Sequence, residues 1–314
     1  MNRLIRLWNQ NRKKIIVTVL AVVFLIVVIQ ILNQFAKKNN QKKEDISNTI
    51  NTEVPLPTKS VISEKTVSSE VTKNNVNVID KFIKYCNNGN IQEAYDLLSD
   101  ECKVALYPTV DKFKGLYYNN IFSENRIYNI QNWISYNSYN TYLVDFYNNV
   151  MATGKVENTI EYQDYITINE KNDNKININS FIKYDEINTI FEDDTFKFVV
   201  IGRQVYKEYE IYTMQVENKT DKDILLDTKN KTDSLYIRDS QNVVYKAILS
   251  SLTTEDLTVY ENNTIKLNIK FNKKYNGASN KIKHIIFTDI VKDNEVYEQN
   301  KENYKERLRV TIEI

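Results

Sequence analysis

One histidine, two cysteines, three prolines and five glycines are all that the 314 residues hold of those types, and each scarcity closes off a class of chemistry. A single imidazole excludes most His-based acid–base and metal chemistry. It leaves His284, inside KIKHIIF, as a structural or surface strand residue. With so few glycines there is no Gly-rich phosphate loop and no strained Ser elbow, and no His/Cys set has metal spacing. An excess of one charge is missing too. Lys and Arg number 42 against 41 Asp and Glu, whereas nucleic-acid binders carry surplus positive charge. Neither a nucleic-acid partner, a cofactor nor a metal is expected. Asn, Lys, Ile and Tyr are abundant together, the mark of a low-G+C coding bias, so single Asn residues carry little weight.

What the chain does have is one long hydrophobic run, IIVTVLAVVFLIVVIQIL, from Ile15 to Leu32. As a helix it reaches about 27 Å at roughly 1.5 Å per residue, against a hydrocarbon core of about 30 Å. The competing reading is a cleaved signal peptide. No small-residue cleavage site follows, and no Cys stands directly after the run, where a lipoprotein needs one. The run therefore predicts an uncleaved signal anchor, a single transmembrane helix over residues 15–32 that contacts the lipid bilayer. Arg12, Lys13 and Lys14 abut it on a short tail, while Lys37, Lys38, Lys42 and Lys43 follow it. Positive charge held on a short tail favours the cytoplasm, and long domains translocate largely regardless of charge. Residues 1–14 are thus expected in the cytoplasm and everything beyond the cell membrane is expected outside, extracellular or extracytoplasmic.

Residues 33–75 mix charges with Ser and Thr, contain Pro55 and Pro57, and sustain no apolar period. Such a stretch buries too little to offset its ordering entropy and reads as a disordered tether. Periodicity starts after it. Ile79, Phe82, Ile83 and Cys86 make one helical stripe, and Asn88-Gly89 breaks it. Ile91, Ala94, Tyr95 and Leu98 make a second. Thr109 caps a third, with Val110, Phe113, Tyr117 and Ile121 on one face. The period then changes. RIYNIQNWISY, TYLVDFYNNVMA, NTIEYQDYITIN and KININSFI are rich in β-branched and aromatic residues between polar breaks. Helices followed by strands predict α+β, helices on one face of an antiparallel sheet. The phrase NNGN followed by EAYDLLS, then a further helix and four strands, resembles the nuclear transport factor 2-like, cone-shaped α+β fold, here over residues 76–184.

The rest reads as all-β. A linking strand is expected from Thr195 to Ile201. Ile265, Leu267, Ile269 and Phe271 alternate with polar residues, as do Leu308, Val310, Ile312 and Ile314. Strands at this spacing predict an antiparallel β-sandwich over residues 195–314. The phrases VENKTDKDILL, LYIRDSQNVVYKA and IIFTDI resemble immunoglobulin-like domains of Gram-positive envelope lipoproteins.

The candidate site residues fall in the first folded part. Members of the cone-shaped family that are enzymes place an acid–base pair between helices and sheet. Asp145 alternates with Leu143 and Tyr147. It is either a base in that interior or a rim carboxylate held by Tyr hydroxyls. Trp133, Tyr142, Phe146 and Tyr147 either line a pocket or binding face or are simply good sheet residues. Cys86 and Cys102 form a disulfide or remain two buried thiols that fill core space. No catalytic set emerges, so no enzyme is expected. A membrane anchor followed by a cone-shaped domain resembles scaffold subunits of type IV secretion and conjugation machines, which implies protein partners or self-association. The alternative function is a surface-tethered binder of a small apolar ligand or wall fragment.

Overall fold

The structure, a computed structural model, describes residues 67–148, 159–171, 174–277 and 281–314. The expected tail, transmembrane helix and most of the tether lie outside the described residues. Among those described, no helix is long and apolar enough to cross a membrane.

Helix α1 spans Ser69–Asn87 and so starts inside the stretch expected as tether, a correction for residues 69–75. The reason is that its buried stripe continues N-terminally in polar letters, through Thr72 and Asn75. Ser68 caps it, its hydroxyl accepting from the Val71 N–H. The Asn75 amide donates to the Tyr142 hydroxyl at 3.1 Å. Gly89, at φ 74°, turns the chain after the helix. Four short helical pieces follow: α2 Ile91–Asp96, α3 Asp100–Ala105, α4 Val110–Phe113 and, after a π-helical turn over Lys114–Tyr118, α5 Asn119–Ile121. Phe113, Tyr117 and Ile121 are buried along this run.

The helices pack on a first antiparallel sheet of β1 Arg126–Tyr136, β2 Tyr139–Asn148, β3 Ile160–Asn169 and β4 Ile176–Asn177, in that order. KININSFI, expected as one strand, is split. Asn179 and Ser180 both sit in the left-handed region, at φ 59° and 60°, so β4 is cut short. The chain then enters a different sheet as β5, Phe181–Glu192.

That second sheet adds β6 Phe196–Tyr206, β7 Glu210–Asn218 and β12 Thr264–Phe271, ordered β12-β7-β6-β5. The expected linking strand is thus an inner strand of it. A third sheet holds β8 Ile224–Leu225, β9 Leu235–Asp239, β10 Val244–Lys246, β11 Thr258–Val259 and β13 Ile282–Val291, with β14 Arg307–Glu313 paired to β13. Helix α6, Asn294–Gln299, precedes β14. One apolar core joins these two sheets, bringing Phe198, Met214 and Ile269 together with Ile237, Phe287 and Ile312. The architecture is α+β with mostly antiparallel sheets.

Between β5 and β6 the backbones come very close at Gly202, where a β-carbon would lie 2.8 Å from the Asp185 carbonyl oxygen and 2.3 Å from the Tyr184 hydroxyl. A side-chain hydroxyl can swing away, but a paired strand carbonyl cannot. Gly202→Ala is expected to destabilise the chain by about 1–3 kcal/mol, the usual cost of overpacking, read as a lower urea midpoint with unchanged slope. An unchanged midpoint would mean that β5 peels from β6 without loss.

Candidate functional site

The space between the helices and the first sheet is the place to look for a pocket, and side chains fill it. The Phe113 ring lies 6.2 Å from Phe82, 5.8 Å from Tyr107 and 5.7 Å from Tyr117. Phe122 meets Phe146 edge-on at 5.5 Å. All of these rings are buried. Tyr142 and Phe146 belong to this filling together with Val144. They face the helices because alternate residues of β2 share a side.

Strand parity puts the other candidates on the opposite face. Trp133 stands edge-on to Tyr165 at 4.8 Å, and the Lys207 ammonium sits 4.1 Å from the Tyr165 ring centre and 5.5 Å from that of Trp133. Tyr147 and Leu143 are half-buried. Asp145 also lies here, not among the helices. Its carboxylate accepts from the Gln163 amide at 2.7 Å and the Gln131 amide at 3.3 Å. Amides hold it rather than the tyrosine hydroxyls that the rim reading pictured. Trp133, Tyr142, Asp145, Phe146 and Tyr147 therefore do not form one site.

The carboxylate that does face the helices is Asp164. It follows the same parity as Ile166 and Ile168 and is fully buried. It accepts from the Tyr117 hydroxyl at 2.8 Å and from the backbone N–H groups of Asn179 and Ser180 at 2.9 and 2.8 Å. Two consecutive left-handed residues turn their N–H groups to one side, a concavity that suits an anion, and here a side chain of the same molecule occupies it. Burial pushes the Asp164 carboxyl up to about 6, against the pull of these hydrogen bonds. Burial raises the Tyr117 hydroxyl as well, reinforced by Asp164. The arrangement pins the turn into β5 and ties both carboxylate oxygens to donors. The sequence carried the signal for Asp164, an acid in the apolar phase of EYQDYITIN.

Cys86 and Cys102 are free and buried. Burial raises both thiols, Cys102 to about 12, so the thiolate needed for nucleophilic or redox chemistry is suppressed. Among the described residues, no three His, Cys, Asp or Glu side chains gather as metal ligands.

No family model matches the chain, and no curated protein matches it. Among solved structures, a conserved hypothetical protein from Bacillus anthracis aligns at 14% identity over 40% of this chain and 95% of that one, with a TM-score of 0.24. A likeness at that level assigns neither fold nor function.

Proposed function

We propose that the chain is a non-enzymatic envelope protein, anchored through residues 15–32, that docks another membrane-anchored protein outside the membrane. In this reading the helices and first sheet form a nuclear transport factor 2-like cone. The last two sheets form an immunoglobulin-like β-sandwich, and the assembly served is of the conjugation or secretion type. The observation that carries it is the filled interior. Ring against ring from Phe82 to Phe146 fills the interior where the alternative reading would seat a small apolar ligand, and Asp164, buried there, is held by three donors. Recognition then falls to the opposite face. Trp133 and Tyr165 lie half-buried there beside Lys207, with Tyr147 half-buried further along the same face, the aromatic-rich composition that protein interfaces favour.

A photo-reactive phenylalanine analogue placed at position 147 of the full chain tests this in cells of the source organism. A control copy carries the same group at Val104, which is 82% exposed on α3. Trapping of a second membrane-anchored protein, or of a second copy, from position 147 but not from 104 is expected. Equal trapping from both sites, or none from 147, overturns the docking face.

A further inference from the structure

A separate cavity of about 190 Å³ opens where the β1–β2 turn meets the second sheet, lined by Tyr136, Tyr139, Lys183, Arg203, Glu210, Lys273, Tyr275 and Lys281. At roughly 30 Å³ per molecule it has room for about six waters, or for a small organic ligand. Four of its lining side chains are cations, contributed by segments far apart in sequence.

Its charges are only partly matched. Asp185 takes the Lys183 ammonium at 2.8 Å and Arg203 Nε at 2.9 Å. Burial works to raise its pKa, but these two cations outweigh it and hold the carboxyl below the ordinary range. Glu210 takes Lys273 at 2.6 Å, Arg203 Nη1 at 3.4 Å and the Tyr212 hydroxyl at 3.0 Å. Two carboxylates thus face four cations. Lys281 has no ion-pair partner among the described residues, and no described acceptor meets Arg203 Nη2. Glu101, which acts on Tyr139 at the pocket wall, is held by the Asn177 amide and the Tyr184 N–H rather than by a cation, so one net positive charge remains, with unengaged N–H donors on Lys281 and Arg203. The tyrosines add hydroxyl donors. Burial first, then Glu101 and Asp185, push Tyr139 up to about 12, so its proton stays on.

We propose that this pocket binds a small phosphate monoester, with Arg203, Lys183 and Lys281 around the phosphate and Tyr136, Tyr139 and Tyr275 walling the ester group. With three terminal oxygens a phosphate can meet Lys281, Arg203 Nη2 and the tyrosine hydroxyls together, and a planar guanidinium with spare donors suits such oxygens. A carboxylate has only two oxygens to offer the same donors. Asp185 and Glu210 are each already tied to two cations, and Glu101 is turned to the Asn177 amide and the Tyr184 N–H. This inference does not depend on the docking face.

Titration calorimetry of the full chain with phenyl phosphate, at about 0.15 M salt so that weak surface attraction is screened, is the test. One saturable site is expected. Lys281→Glu should weaken it by about tenfold or more, the worth of one charge-assisted contact, while leaving the thermal midpoint in place, since Lys281 is exposed and unpaired. Arg203→Gln should abolish binding; because Arg203 also braces Asp185 and Glu210, Lys281→Glu remains the decisive variant. Benzoate, with the same ring and one charge, should bind at least about tenfold more weakly. The proposal is overturned if phenyl phosphate does not saturate, if Lys281→Glu binds like the parent, or if benzoate binds as well as phenyl phosphate.

Discussion

Phe113→Ala is expected to lower folding stability by about 3–5 kcal/mol, the range for deleting a buried aromatic ring. The loss should fall towards the upper end of that range because the hole cannot collapse. Phe113 is wholly buried and touches four rings, those of Phe82, Tyr95, Tyr107 and Tyr117. Two of them are tied elsewhere: Tyr117 donates to Asp164 at 2.8 Å and Tyr95 donates to the Tyr107 carbonyl at 3.0 Å. Neither can move inward without giving up its hydrogen bond, and for the buried Tyr117 water cannot replace it. Urea unfolding of the full chain should register a lower midpoint with an unchanged slope. A loss below about 1 kcal/mol would mean that the rings slide together easily. The filled interior that supports a docking function over ligand binding would then be a soft one.

The sequence was most legible where one face is buried and the other wet. The alternation at residues 264–271 became β12, with Leu267, Ile269 and Phe271 buried, because that pattern depends only on the strand's own period. It failed where a distant residue decides the backbone. The break in KININSFI is made by Asn179 and Ser180, and what steadies them is Asp164 on another strand. Nothing local in that phrase announces the turn. The early start of α1 was hidden for a related reason: Thr72 and Asn75 continue the stripe but count as polar, and only the Tyr142 hydroxyl across the interior makes burying Asn75 tolerable. For the candidate site, parity alone separates Tyr142 and Phe146 from Asp145 and Tyr147. Choosing which set faces the helices required seeing what packs against β2. The phosphate pocket was beyond reach, since Lys183, Arg203, Lys273 and Lys281 stand together only after the second sheet has formed.

Stability should rise, not fall, as the pH is lowered from about 7 to about 5, and Asp164 is the reason. Its carboxyl, at about 6 in the folded chain against an ordinary 3.8, keeps a proton over a window in which the unfolded chain has released it. Between those values the native state binds more protons, so stability decreases with rising pH by up to about 1.4 kcal/mol per unit, about 3 kcal/mol in all. The contribution is complete below about pH 4 and gone above about pH 6. Carboxyls held low by cations act in the opposite sense, but in another window. The stability that Asp185 and Glu208 supply is lost only as the pH falls below their ordinary range. Asp164→Asn isolates the term. The amide keeps the shape but offers one acceptor where Tyr117, Asn179 and Ser180 present three donors, so the variant is less stable throughout. What matters is how the gap changes. It should be wider at pH 5 than at pH 7, because only the parent gains by taking up a proton, and the Tyr117 hydroxyl can reverse to accept from the neutral acid. A gap independent of pH would mean that the three donors outweigh burial and Asp164 is an ordinary carboxylate. A gap that held from pH 7 to pH 5 but narrowed below about pH 4 would make the ionised form the stabilising one, and the cradle of two backbone N–H groups would then be worth more than the cost of enclosing the charge.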